Sequence, residues 1–140
     1  MAVEWLEFNL RGYGGRAPIG TRFFDLIGLK PKDRFPTVPG EDEWQAARIV
    51  LFAVSIADCG RGDGRYDKFE RQIARGLKRA AKWLAARDPK AFAQWRKERK
   101  QADIFIDGWM NSDQFGLTLP PEFVRECSRL GLPIEICTND

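Results

Sequence analysis

The stretch RYDKFERQIARGLKRAAKWLAARDPKAFAQWRKERK, residues 65–100, decides both the fold and the charge of this chain. Within it Tyr66, Phe69, Ile73, Leu77, Ala80 and Leu84 recur at helical spacing, which predicts the buried face of an amphipathic helix of about six turns. Lys68, Arg71, Arg75, Lys78 and Lys82 fall on another face as a basic stripe. Asp88-Pro89 reads as an N-cap followed by proline at the first helical position, so a second helix begins there and turns Phe92 and Trp95 inward. That helix closes on Arg96, Lys97, Arg99 and Lys100, and because a helix dipole favours cations at its C-terminus, part of this clustering has a structural cause.

Thirteen Lys/Arg against four acids give the stretch a charge of +9, while the whole chain of 140 residues carries only +3. The other 104 residues must therefore carry −6, and the small net charge conceals a polarised molecule.

Working outward toward the N-terminus, Asp58-Cys59-Gly60-Arg61-Gly62-Asp63-Gly64 is a flexible loop leading into the basic helix. Ala46 to Ala57 is apolar on both faces, which suits a central strand buried on two sides, although its length overlaps that of a buried helix. Lys30 to Glu43 holds three prolines and an acidic end, which excludes a helix or a central strand and leaves a long connection, either functional or mobile. Pro18 opens a short helix with Ile19, Phe23, Leu26 and Ile27 on one face and Gly28 as its left-handed terminator. Val3 to Leu10 alternates, with Leu6, Phe8 and Leu10 on one side, and predicts a half-buried strand. Arg11 to Arg16, with three glycines, follows it.

Toward the C-terminus, Asp103 to Met110 alternates as a strand, and a turn at Asn111 to Gln114 leads to a short strand, Phe115 to Leu119, as a hairpin. Pro120-Pro121 opens a helix with Phe123, Val124, Cys127 and Leu130 toward the core and Gly131 as terminator, and Leu132, Ile134 and Ile136 belong to a last strand. The order β-α-β-α-α-β-β-α-β predicts one α+β domain, residues 1–140, with an open mixed sheet of about five strands and helices packed on it. A chain of this length buries roughly two-thirds of the surface exposed by its unfolded form.

Composition excludes much chemistry. There is no histidine, which removes the commonest general base, the usual partner of a nucleophilic Ser or Cys, and the imidazole ligand of zinc. The three cysteines lack paired spacing, so reduced thiols are expected. Residues 1–10 lack the basic start and apolar core of a signal peptide, and no segment has the length of a membrane span; a soluble, cytoplasmic protein with no membrane partner is expected.

Three groupings remain as candidate chemistry. Arg61, Gly62, Gly64 and Arg65 lie between a strand and a helix start, where backbone N–H groups and the dipole could hold an anion. They match neither a dinucleotide fingerprint nor a P-loop, and a plain flexible turn explains them as well. Asp103, Asp107 and Asp113 resemble paired catalytic carboxylates, yet carboxylates bordering a hairpin ordinarily face solvent or cap backbone. Cys59, near Arg61, is the cysteine whose setting could lower its pKa. The expectation is no catalytic residue, no cofactor and no metal. The strongest surface feature is the basic face of Lys68, Arg71, Arg75, Lys78 and Lys82, with Arg96, Lys97, Arg99 and Lys100 extending it. Such a face suits an acidic protein surface, or the phosphates of a nucleic acid, although charged helical faces are often simply solvated.

Phe8-Asn9-Leu10-Arg11-Gly12, Gly28-Leu29-Lys30-Pro31, Leu117 to Phe123 and Leu130 to Ile136 together resemble a family of small bacterial domains of unknown function, some of them grouped with toxin-immunity and other conflict-system proteins. The resemblance covers about a third of the chain and is carried by turn and cap chemistry. It implies a strand, a helix ending in Gly-Leu-x-Pro and a closing strand-helix-strand unit, in a non-enzymatic protein that binds and blocks a partner. A nucleic-acid-binding protein using the same basic helix is the alternative expectation, and a small enzyme with an anion site at the Gly-rich loop is the third.

Overall fold

A computed structural model describes residues 4–14, 22–29, 47–110 and 116–138. These form strand β1 (Trp5–Tyr13), helix α1 (Arg22–Leu26), strand β2 (Ala47–Ser55), a 3-10 turn (Ile56–Cys59), helices α2 (Arg65–Ala85) and α3 (Pro89–Lys97), strand β3 (Gln101–Trp109), helix α4 (Pro121–Leu130) and strand β4 (Ile134–Thr138). The class is α+β, with one mixed sheet in the order β2-β1-β3-β4. β1 pairs antiparallel with both neighbours, and β4 pairs parallel with β3 through a crossover that contains α4.

Among the described residues the sheet has four strands, where about five were expected. Residues 116–119 form no strand, because β1 and β4 already occupy both edges of β3 and leave no ladder for a hairpin partner. Leu117 and Leu119 instead lie half-buried against the core. The predicted turn at residues 111–114, the connection at residues 30–43 and the start of the first predicted helix lie outside the described residues.

The second correction concerns position. Ala46 to Ala57 was expected at the centre, but β2 is an edge strand among the described residues and β1 takes the middle. The double-sided apolarity of β2 has a local cause: the register shifts between Phe8 and Asn9, leaving Leu51 without a partner. Ile49, Phe52 and Val54 then reach the same side of the sheet despite their uneven spacing, and Phe52 stacks on Phe8 with centroids 4.2 Å apart.

The helices cover the face that carries Leu6, Phe8, Leu10, Ile104 and Ile106, all buried. α2 buries Phe69, Ile73, Gly76, Leu77, Ala80, Ala81 and Leu84, the anticipated face, and each large apolar side chain so buried contributes about 1.5–3 kcal/mol. Tyr66, Val124 and Ile136 fit the apolar patterns yet are exposed. Asp88 caps α3 as anticipated, accepting from the Lys90 amide at 2.9 Å, with Phe92 and Trp95 buried. β1 continues through Gly12, where any Cβ would enter the Phe23 ring of α1.

Three helices end in the same way. α1, α3 and α4 each close with an amide bonding back over the last turn, Leu29 to Phe24, Lys100 to Trp95 and Leu132 to Cys127, and each places a left-handed residue just before that amide. At α1 and α4 that residue is glycine, Gly28 and Gly131, as the sequence predicts. At α3 it is Arg99, with φ 63°, a conformation costing a side-chain-bearing residue about 1 kcal/mol or more.

Candidate binding face and cationic cleft

α2 is 21 residues long, and Lys68, Arg71, Arg75, Lys78 and Lys82 follow its axis at intervals of three and four, forming one exposed stripe of about 20 Å. Arg79 stands exposed beside them. None of the six forms an ion pair or a side-chain hydrogen bond among the described residues. At the N-terminal end of the stripe, Arg71 lines a groove of about 490 Å³ with Asp67, Glu70, Ile73 and residues 116–118, so the charges there are mixed.

Three of the remaining cations of residues 65–100, Arg87, Arg96 and Lys100, have structural work. Arg87 donates through Nε to the Trp83 carbonyl and lies 4.4 Å from that ring's centroid. Arg96 donates through Nη1 to the Leu130 carbonyl at 3.0 Å and so caps α4. Lys100 lies 4.6 Å from the Trp95 ring centroid and 3.8 Å from Glu98. A reciprocal cap went unread in the sequence: Arg129 of α4 donates through Nη2 to the carbonyls of Leu84, Ala85 and Arg87 at the end of α2. Its signal would have been a cation in the last turn of one helix facing the C-terminus of another, a pairing visible only after packing.

Arg96, Arg99 and Lys100 do come together, in a cleft of about 450 Å³ shared with Tyr13, Gln101, Ala102, Gly131 and Pro133. Lys97 is exposed outside it. Gly131 suits its φ of 70°, and a Cβ there would stand 2.8 Å from Nη1 of Arg96, at the movable end of that side chain. Burial, and then the nearby Asp103 carboxylate, raise the Tyr13 phenol above its ordinary value, and its ring lies 5.0 Å from the Arg11 guanidinium.

The Gly-rich loop does not assemble into a comparable arrangement. Gly60 and Gly62 take left-handed φ values of 84° and 92°, and Arg61, Gly62, Gly64 and Arg65 are all exposed. The Arg65 amide is spent on the Gly62 carbonyl, and its guanidinium turns to Tyr66, 3.4 Å from the hydroxyl. Cys59 is buried, and burial pushes its thiol up despite the opposing influence of Lys68, the opposite direction to the lowering its loop setting could have given.

Asp103 and Asp107 share a side of β3, but Asp103 is held by Arg11, at 2.9 Å from Nε and 2.6 Å from Nη2, and is only 2% exposed. Arg11 also reaches Glu135 at 3.1 Å and stacks 4.0 Å from the Phe105 centroid. The network sits on the sheet side opposite the helices. Next to it Asn9 is fully buried, its amide donating to the Phe105 carbonyl while its Oδ1 has no partner among the described residues. Asp113 lies outside the described residues. Among the described residues no group of carboxylates and thiols could hold a metal ion, and no helix is long and apolar enough to cross a membrane.

No family model, curated protein or solved structure matches the chain. The fold defines the class, an α+β domain with helices packed on one side of a four-stranded mixed sheet, and the functional reading rests on the surfaces just described.

Proposed function

We propose that this protein is a non-enzymatic binding module that uses the basic face of α2 to contact an acidic surface on a partner protein. The observation that carries this reading is the row of six exposed cations on α2 that are without ion pairs among the described residues. Long cationic side chains held beside one another at helical spacing repel, and an opposing acidic surface relieves that repulsion while steering association. Two of the groups considered for catalysis are otherwise engaged, Asp103 by Arg11 and Cys59 by burial. The resemblance noted in the sequence adds the direction: blocking a partner, as an immunity-like or anti-defence protein of a bacterial or phage conflict system, in the cytoplasm.

Nucleic acid is the second reading, favoured by the same cations and opposed by the aromatic pattern. Tyr66 is the one large aromatic exposed on α2, whereas single-strand platforms use rows of aromatics on which bases stack. The triple variant Arg71→Glu, Arg75→Glu, Lys78→Glu tests both readings. It should abolish capture of the partner from a nuclease-treated host extract with an unchanged thermal midpoint; retained capture sinks the proposal. DNA or RNA binding by the parent chain that weakens steeply with salt, and is lost in the same variant, would establish the second reading instead.

A further inference from the structure

We infer that the cleft between the ends of α3 and α4 binds a small phosphorylated molecule of about mononucleotide size. The first support is convergence. Arg96, Arg99 and Lys100 line a cleft of about 450 Å³, within the usual range for small-ligand sites, together with Tyr13, Ala102 and Pro133. Three cationic residues beside an apolar wall match the two parts of a phosphorylated organic molecule.

The second support is conformational. Three helices close on the same left-handed geometry; two use glycine, and α3 alone places a strained Arg99 there. Cap chemistry gives no reason for arginine at this position, since glycine satisfies the same two backbone hydrogen bonds at Gly28 and Gly131. What arginine adds is a cationic side chain on a residue that lines the cleft. Strain kept where the side chain lines a cavity is the pattern of a ligand site.

The helix dipoles oppose an anion here and must be weighed. The C-termini of α3 and α4 both face the cleft, each carrying roughly half a negative unit, so together they offset about one of the three cationic charges. Glu98 removes little more, because its carboxylate bonds mainly to Arg22 at 2.8 Å. Even with the net negative charge of the Arg11–Asp103–Glu135 network near Tyr13, a positive surplus remains, which suits a phosphate monoester. Arg96 leaves its Nη2 uncommitted among the described residues while Nη1 holds Leu130, so its guanidinium is already oriented before a ligand arrives.

The site is separate from the α2 face, and its test separates the two. Adenosine 5′-monophosphate and inorganic phosphate are titrated into the full chain by calorimetry, with amide shifts followed by NMR. The monophosphate should saturate and shift Gln101 and Gly131, and should bind at least about tenfold tighter than phosphate, the margin expected from the apolar wall. Arg99→Gly should raise the thermal midpoint, by releasing the strained φ, and at the same time weaken binding about tenfold or more. Arg75→Glu with Lys78→Glu should leave binding unchanged. The inference is overturned if the monophosphate binds no tighter than phosphate, if Arg99→Gly leaves its affinity intact, or if the α2 reversal is what removes it.

Discussion

Arg11 encloses the carboxylate of Asp103 from β1 to β3 through two donors, at 2.9 and 2.6 Å, and Asp103 retains only 2% exposure. The two residues are direct cross-strand partners, so the pair is set by the register of the central ladder. The Asp103 hydrogen bond, ahead of the opposing cost of burial, raises the Arg11 guanidinium above its ordinary value, and the cation is permanent. Removing the cation strands a buried negative charge, whereas removing the carboxylate leaves Arg11 with Glu135 and partial access to water. Arg11→Met should therefore cost about 3 kcal/mol or more in urea unfolding, and Asp103→Asn about 1–2 kcal/mol. The double change to Met and Leu should recover much of the loss. Equal costs for the two single variants would mean that the charge left behind is not what destabilises.

The ring of Phe52 is held between Phe8, stacked at 12° between planes, and the backbone of Gly76 on α2. Replacing a mid-helix glycine by alanine ordinarily stabilises by about 1 kcal/mol. Here the new methyl would enter the Phe52 ring, so Gly76→Ala should destabilise by about 1–3 kcal/mol. Pairing it with Phe52→Leu should restore part of the loss, and calorimetric midpoints of the four proteins would decide the matter.

Cys127 is buried on the inner face of α4, and burial pushes its thiol up from 9.0 to about 12. Its folded value is raised, so the folded chain keeps a proton that the unfolded chain releases above pH 9. The stabilisation is thus complete below about pH 9 and declines as pH climbs toward 12. Cys127→Ala should be less stable at neutral pH and show a shallower loss of stability between pH 9 and 11 in urea unfolding. In the native protein a thiol reagent at pH 8 should modify the half-buried Cys137 first and leave Cys127 untouched.

The helices were legible in the sequence because their causes are local. Buried positions from Phe69 to Leu84, the Asp88-Pro89 cap and the terminators Gly28 and Gly131 each follow from residues within a few positions of one another. The stripe from Lys68 to Lys82 could be read from the same periodicity, since a helix that buries one face must expose the other. Strand positions were legible in part: β1 alternates and β3 alternates, but nothing within either says which neighbour it will meet.

Tertiary structure alone decided the rest. Residues 116–119 carry strand-like residues but lose the competition for β3 to a partner that follows ten residues of helix, and the apolar run of β2 goes to an edge because a bulge, not double burial, explains its pattern. The cations at the end of α3 were read from sequence as one extension of the basic face. Packing divides them, giving Arg96 to the end of α4, placing Lys100 over Trp95 and leaving Arg99 to line a cleft shared with Tyr13, nearly ninety residues earlier. Periodicity and capping act within one or two turns, so a single sequence displays them. Sheet order, ion-pair choice and cavity walls join residues far apart in the chain, and their energies exist only once the elements have packed.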